Sequence, residues 1–395
     1  MSKALKKNIR KTIISVLLTG IIFTGVVNGI EKKLPENVEV ALDEIIFAGK
    51  TNANAVVSNK NLKLLSDFII SAADNKNVWK VKSRRNAAGA VLIKSYKIPV
   101  EKVLKMNLNA NIPDAALFYN VLRYSKKINL SPECKKFIVD ISKRINTNKV
   151  FETSYLSVEG ITPNVQSGSY YSYTNLRTIT RANINGKEML ISISDMIAPS
   201  ALSMRGVPVG PVEDGVFYYS QKLGMNMTGV TWLKSQMYLS STIAVYMETP
   251  DGGTAVAMFS WQSAGWRGMN VIKSHHIYNV LQDTFRTFEN VFGNPKVNSK
   301  KILEIIEKIN AMNPKEKNLL YGKYCDYVKT WCNKKPPGLN PFRKSDIKKI
   351  FSEKSLINMK QEYKDILIIQ ELIRHLIGKS TWLAKKSVKV VGIDN

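Results

Sequence analysis

The chain offers few residues that could perform covalent or metal chemistry. Its 395 residues include three histidines and three cysteines, and the one histidine cluster is the adjacent pair His275-His276. Neighbouring residues on a helix point about 100° apart, so this pair does not place two ligands on one metal ion without a bend. The three cysteines stand in no recognised catalytic context. We therefore expect no metal and no other cofactor.

Acidic side chains are the other possible source of catalysis. Glu188, Asp195, Glu213 and Asp214 could supply a general acid and base, but their spacing favours no particular pair, and solvated loop carboxylates are the alternative. The chain has no phosphate-binding loop, dinucleotide fingerprint, His-Glu-x-x-His or Gly-x-Ser-x-Gly motif. We predict no catalytic residue, and the sequence favours a binding protein over an enzyme.

The first thirty residues have the layout of an export signal. Basic residues and no acids fill positions 2–11, and an apolar run follows over positions 12–27. Val27 and Gly29 are the small residues that precede a cleavage site after Gly29. An uncleaved anchor over residues 12–30 is the alternative, since this run just reaches spanning length. In either case residues 31–395 cross the cytoplasmic membrane, and we expect a periplasmic, secreted or membrane-anchored protein.

Charge divides the remaining chain into three parts. Residues 34–150 hold 20 basic and 10 acidic side chains, residues 151–295 hold 9 and 10, and residues 296–395 hold 22 and 10. The net charge of the whole chain is +27, which implies an anionic partner. For an exported protein an anionic membrane surface is the expected partner and nucleic acid is not. A solvated helical surface remains the alternative for the C-terminal part.

Hydrophobic periodicity predicts helices first and then strands. The N-terminal half is predicted to contain helices over 37–48, 61–73, 113–124 and 132–145, a hairpin of strands 78–84 and 90–96, and a strand over 103–110. From residue 155 the hydrophobic period changes to two residues, which is typical of strands. Asn185-Gly186, between predicted strands 176–184 and 188–195, is a strong hairpin signal. Shorter strands are predicted over 216–222 and 230–238, and a second confident hairpin joins 242–248 to 254–262.

One long amphipathic helix over residues 274–292 follows this sheet and must lie across it. Beyond it, helices are predicted over 299–311, 315–330, 345–351, 354–377 and 381–387. Cys325 and Cys332 could form a disulfide if the first helix ended between them. Two separate thiols are the alternative.

This order of elements resembles the START lipid-transfer family of the helix-grip superfamily over about residues 60–293. The similar segments are Val78-Trp79-Lys80-Val81, Ile112-Pro113-Asp114-Ala115-Ala116-Leu117-Phe118, the hairpin at Pro250-Asp251-Gly252-Gly253-Thr254, the Gly265-Trp266 loop and the closing helix. Two segments depart from the family. Residues 162–171 lack its usual Arg-Asp pair, and the loop over residues 198–214 is longer.

The resemblance implies an α+β fold in which a curved antiparallel sheet grips the long helix around an apolar tunnel. The expected organisation is a signal or anchor (1–29), a helical linker (30–59), the helix-grip domain (60–295) and an all-α, Lys-rich extension (296–395). The expected tunnel lining comprises Ile277, Leu281, Phe285, Phe288, Phe292 and Trp261. For the helix residues, simple core packing is the alternative. Trp266, Arg267 and Met269 would form an entrance gate at the membrane.

We therefore predict an exported protein that binds or transfers a lipid or another hydrophobic molecule. A secreted structural or protein-interaction module with a filled core is the second hypothesis. An envelope enzyme of unknown chemistry is the third.

Overall fold

The computed structural model describes residues 31–50, 57–73, 78–140, 151–161, 169–208, 217–227, 230–334, 359–379 and 381–383. The export signal, the predicted helix at 345–351, Glu213 and Asp214 lie outside these ranges. Within the described ranges, no helix is long and apolar enough to cross a membrane.

The protein has an α+β fold. Its helices are α1 (Glu36–Lys50), α2 (Asn59–Ala73), α3 (Val100–Asn107), α4 (Asp114–Leu117), α5 (Pro132–Asp140), α6 (Ser274–Phe292), α7 (Ser299–Ala311), α8 (Pro314–Lys334) and α9 (Gln361–Leu376). Its strands are β1 (Glu31–Lys33), β2 (Val78–Lys80), β3 (Ala88–Tyr96), β4 (Leu122–Ile128), β5 (Phe151–Ile161), β6 (Ser169–Ile184), β7 (Lys187–Met196), β8 (Met204–Pro208), β9 (Phe217–Leu223), β10 (Met225–Met227), β11 (Val230–Leu233), β12 (Gln236–Glu248), β13 (Thr254–Trp266) and β14 (Met269–Asn270).

A large antiparallel sheet organises the molecule. Its strands pair in the order β3-β13-β12-β7-β6-β5-β4. The predicted hairpin at Asn185-Gly186 is confirmed, with positive φ angles of 53° and 79° that suit Asn and Gly in a two-residue turn. The predicted hairpin between strands 78–84 and 90–96 is present only as a tight turn, in which Arg84 and Ala87 form an antiparallel bridge. The strands themselves do not pair with each other, because β2 pairs with β1 and β3 pairs with β13.

Both faces of the sheet carry a hydrophobic core. Alternate residues of β7, β12 and β13, such as Ile193, Ile243 and Phe259, point to α1 and α2 and are buried against them. The opposite face packs against α3, α4, α6 and α9, and α7 packs on α3 and α9 within the same core. The segment 30–59 is therefore not a linker outside the domain, because α1 covers one face of the sheet.

Two predictions in the N-terminal half assigned the wrong type of secondary structure. The predicted strand at 103–110 lies mostly in helix α3, in which Val100, Val103, Leu104 and Asn107 are buried at helical spacing. The predicted helix at 113–124 ends at Leu117, and the chain continues into strand β4. Short apolar runs fit the period of a helix as well as that of a strand, so tertiary packing decides which of the two forms.

The predicted boundary at 295/296 does not separate two cores. The apolar seam of α7, including Ile302 and Ile309, is buried in the same core as α6. On α9, the Gln370 side-chain amide donates to the carbonyl oxygens of Ala115 and Leu122, each at 2.8 Å. The C-terminal helices therefore complete the fold on the side of the sheet that faces α6.

The possible Cys325–Cys332 disulfide is not formed. Both residues lie in α8, and Cys325 is a free thiol. Seven residues of helix separate their Cα atoms by about 10 Å, beyond the reach of a disulfide. Cys134 is a buried free thiol.

Candidate functional site

A cavity of about 140 Å³ lies between the sheet and α6. Its floor is made by short polar side chains from three adjacent strands, and the strand register aligns Ser194, Thr242 and Ser260. The polar residues of the floor are Ser192, Ser194, Ser240, Thr242, Ser260 and Gln262, and the same strands also contribute Ala244, Tyr246 and Met258. On the same strands, the alternate residues that face α1 and α2 include the large apolar Ile193, Ile243 and Phe259. The cavity therefore exists because the residues facing α6 are too short to fill the space.

The roof of the cavity is mainly apolar. Helix α6 contributes Val280, Leu281 and Thr284, and the segment after α4 contributes Phe118 and Val121. Of the predicted tunnel residues on α6, Leu281 alone lines this cavity.

The other predicted residues of the helix stripe pack as core. Ile277, Phe285, Phe288 and Phe292 are buried away from the cavity. The ring of Phe288 stacks on that of Phe292 with centroids 4.4 Å apart. The stripe is therefore mainly structural, which was the alternative for these residues.

Trp261 lies on the opposite face of the sheet from the cavity. Its neighbours Ser260 and Gln262 line the cavity, so strand alternation directs Trp261 towards α1. Its indole N–H donates to the Lys82 carbonyl at 2.8 Å, and the Arg84 guanidinium lies 4.5 Å from the ring centroid. Trp261, one of the predicted tunnel residues, therefore does not line this cavity.

A buried network of four charges closes one end of the cavity. The Arg177 guanidinium lies 3.1 Å from an Asp114 carboxylate oxygen and 2.7 Å from a Glu159 oxygen. The Lys127 ammonium lies 3.4 Å from the other Asp114 oxygen and donates to the carbonyl oxygens of Asn109 and Ile112. Asp114, Glu159 and Arg177 line the cavity. Two acids face two bases, so the network is neutral.

The pKa values of the two basic groups respond differently to burial. Burial lowers the pKa of Lys127, against the attraction of Asp114. Burial also opposes the charge of Arg177, but Asp114 and Glu159 outweigh it and raise the pKa of Arg177 above its usual range. The Arg177 guanidinium is therefore a permanent positive charge in the network.

Four separate elements position these charges. Asp114 begins α4, which is held by a hydrogen bond from the Ala115 N–H to the Ser125 hydroxyl and by Gln370 of α9. Glu159 and Arg177 come from β5 and β6, and Lys127 comes from β4. Sequence reasoning missed all four as site residues. For Glu159 and Arg177 the available signal was an ionisable residue in a segment of period two, but which face of that segment is buried depends on the whole sheet.

The structure does not bring Glu188 and Asp195 together as an acid–base pair. Glu188 forms an ion pair with Arg181, whereas Asp195 is bound by both terminal nitrogens of Arg85, at 2.5 and 3.2 Å. Seven residues of strand separate the two acids by about 23 Å. Each is neutralised by its own arginine.

The predicted gate residues form a surface turn. Arg267 and Gly268, with φ angles of 51° and 78°, join β13 to β14. Met269 is 52% exposed and Arg267 is exposed, while Trp266 is half-buried. These side chains do not line the cavity as it stands. Their exposure leaves them available for contact with a surface.

The His275-His276 pair begins α6 with the rings packed at a centroid distance of 4.1 Å. His276 Nδ1 accepts a hydrogen bond from the Lys273 N–H at 3.2 Å, so this nitrogen is unprotonated. Burial, with the charges of His275 and Lys273, lowers the pKa of His276 to about 4. Across the described part of the chain, no group of three His, Cys, Asp or Glu residues is placed to hold a metal ion.

We expect His276 to make the fold less stable in mild acid. The folded-state pKa of about 4 lies below the reference value of 6.5, so the unfolded chain binds more protons between these pH values. Stability is complete above pH 6.5 and falls as the pH drops towards 4, by about 1 kcal/mol after allowance for solvent screening. Urea unfolding of His276→Gln across this range should show a shallower pH dependence than the wild type. His275→Gln should give an intermediate slope, because the charge of His275 is one of the causes that lower the pKa of His276, and equal slopes for His276→Gln and wild type would refute the assignment.

Comparison with known proteins adds no assignment. The sequence matches no family model and no curated protein. The fold and the site alone therefore define the class, an α+β protein whose antiparallel sheet carries a hydroxyl-floored cavity with a neutral ion network at one end.

Proposed function

We propose that this protein binds a small amphipathic molecule in the cavity between the sheet and α6. The observation that carries the proposal is the pairing of a hydroxyl floor with an apolar roof around an unfilled space. Concave sites with mostly apolar walls and a few convergent polar groups are the usual form of small-molecule sites. The cavity favours this function over a structural module with a filled core.

The size of the cavity restricts the ligand. A cavity of about 150 Å³ is sufficient for benzene, and the volume here is about 140 Å³. Sites for drug-sized ligands span about 300–1,000 Å³. The cavity as it stands therefore suits one ring or a short chain. Carriage of a whole lipid, as the START resemblance implies, would require α6 or the Trp266 turn to move.

We propose that the carrier works in the cell envelope, at an anionic membrane surface. Helices α7 and α8 expose Lys300, Lys308, Lys315 and Lys329, and each basic residue near such a surface contributes about 1 kcal/mol. Leu319 on α8 is 68% exposed, one turn from Lys315. Trp266 and Met269 would supply the contacts that admit the ligand.

A vesicle experiment tests the membrane contact. We expect binding to vesicles that contain phosphatidylglycerol, little binding to pure phosphatidylcholine, and loss of binding in high salt. Lys315→Gln and Lys329→Gln should each weaken binding about fivefold. Sedimentation with the vesicles gives the bound fraction, and Lys94→Gln, exposed on the sheet, is the control. Equal binding to neutral and anionic vesicles would contradict the proposal.

Filling the cavity should abolish ligand binding. Ala244 lies on β12 within the cavity lining, and Ala244→Leu would occupy the space at a stability cost of about 1–3 kcal/mol. We expect mass spectrometry of wild-type protein, purified without detergent and then denatured, to reveal a stoichiometric small molecule that Ala244→Leu lacks. Ala311→Leu, exposed at the end of α7, should retain it. The proposed function would be overturned if the wild-type protein contained no ligand and also bound none of three small aromatic probes, benzamide, benzoate and toluene.

A further inference from the structure

We infer that the ligand of this cavity is uncharged and carries hydroxyl or amide groups along one edge and hydrocarbon along the other. The inference rests on the proposed function and names the chemical class of its ligand.

The balance of buried charge argues for a neutral ligand. Asp114 and Glu159 are both engaged by Arg177, and Lys127 provides the second positive charge beside Asp114. An ionised carboxylate or ammonium group on a ligand would add a charge that no group in this network is left to balance. Burying an unbalanced charge carries a large desolvation penalty, so the site disfavours ionised ligands.

The floor provides the polar recognition. Ser and Thr hydroxyls both donate and accept hydrogen bonds. The hydroxyl oxygens of Thr242 and Ser260 are 3.0 Å apart and share a hydrogen bond. The Tyr173 hydroxyl donates a hydrogen bond to the Ser240 hydroxyl at 3.4 Å. Within the part of the chain that the structure describes, the side chains of Ser192 and Ser194 have no hydrogen-bond partner.

One charged group also has an unused donor. The Nε of Arg177 is buried and has no acceptor among the described residues. A purely hydrocarbon ligand would seal this donor and the free serine hydroxyls from water without replacing their hydrogen bonds. A ligand with hydroxyl or amide groups on the edge facing the floor would satisfy them.

The roof sets the other edge of the ligand. Val280 and Leu281 of α6 and Phe118 after α4 offer apolar contact. A second row of polar groups on the ligand would lose its water here without gaining partners. The cavity therefore selects neutral alcohols or amides on a single ring or short chain, in preference to fatty acids or phosphate esters.

Three probes of nearly equal size separate these properties. Benzamide is neutral and polar, benzoate has almost the same shape but is ionised at neutral pH, and toluene has no polar group. Calorimetric titration of the full chain should show benzamide binding at least about tenfold more tightly than either of the others. Benzoate binding as tightly as benzamide would overturn neutrality, and toluene binding as tightly would overturn recognition by the floor. Either result would leave the cavity as a binding site.

Substitution of the floor locates the contact. Ser192→Ala should weaken benzamide binding about threefold to tenfold and leave toluene binding unchanged. Ser263→Ala is the matched control, because this buried serine lies on the opposite face of β13 and should change neither. Failure of all three probes to bind, together with an empty extract, would overturn the proposed function as well as this inference. Equal effects of Ser192→Ala and Ser263→Ala would overturn the assignment of the floor.

Discussion

Replacing Arg177 by methionine is expected to lower the free energy of unfolding by about 3–5 kcal/mol. The substitution keeps much of the side-chain volume but leaves Asp114 and Glu159 buried with Lys127 as the only nearby base of the network. Two carboxylates facing one ammonium in a low-dielectric site are strongly unfavourable. Urea unfolding at neutral pH, followed by circular dichroism, measures the loss.

Two further variants distinguish this explanation from a simple packing defect. Arg286→Met removes an exposed ion pair with Asp283 and should change stability by less than about 1 kcal/mol. The double variant Glu159→Gln, Arg177→Met leaves Asp114 and Lys127 as a balanced pair and should recover part of the loss. A loss below about 1 kcal/mol for Arg177→Met alone, or no recovery in the double variant, would show that the network does not contribute as described.

Truncation of Phe288 to alanine is expected to cost about 3–5 kcal/mol of stability. Its ring is fully buried, stacks on Phe292 and lies with its centroid 5.1 Å from that of Tyr96. The substitution would leave a cavity in the core between α6 and the sheet. Thermal or urea unfolding measures the effect, and Phe47→Ala, at a position 63% exposed, should stay within about 0.5 kcal/mol of wild type.

The Phe288 variant also decides between the two interpretations of the helix stripe. As a core residue, Phe288 should affect stability strongly and benzamide binding only weakly. Leu281→Ala, which enlarges the cavity, should alter benzamide binding. Binding abolished in a Phe288→Ala protein of wild-type stability would instead make Phe288 a ligand-contacting residue.

The elements predicted correctly are those that carry their own local signals. Asn185-Gly186 defines a two-residue turn by backbone preference alone. Helices α1, α2, α6 and α7 are long enough for a period of 3.6 to be unmistakable. Helix α3 and strand β4 were not predicted because each is only seven or eight residues long and its burial depends on neighbours far along the chain.

The candidate site was predicted less well than the fold. The sequence shows an apolar stripe along α6. Such a stripe indicates which face of the helix is buried, but not whether that face packs against core side chains or lines a cavity. Leu281 meets the floor of short serines, whereas Phe288, about two turns further along the helix, meets aromatic rings. The face to which Trp261 points followed from strand alternation only once the register of β13 was known.

The sequence by itself therefore determined the α+β class, the main hairpins, the long helix α6 and the uneven distribution of charge, because these depend on neighbouring residues. Only the tertiary structure decided where a cavity remains and what charge lies beside it. Asp114, Lys127, Glu159 and Arg177 come from α4, β4, β5 and β6, and α9 holds α4 in place through Gln370. The pairing of strands that are distant in sequence brings these four residues together, and no local sequence pattern encodes that pairing.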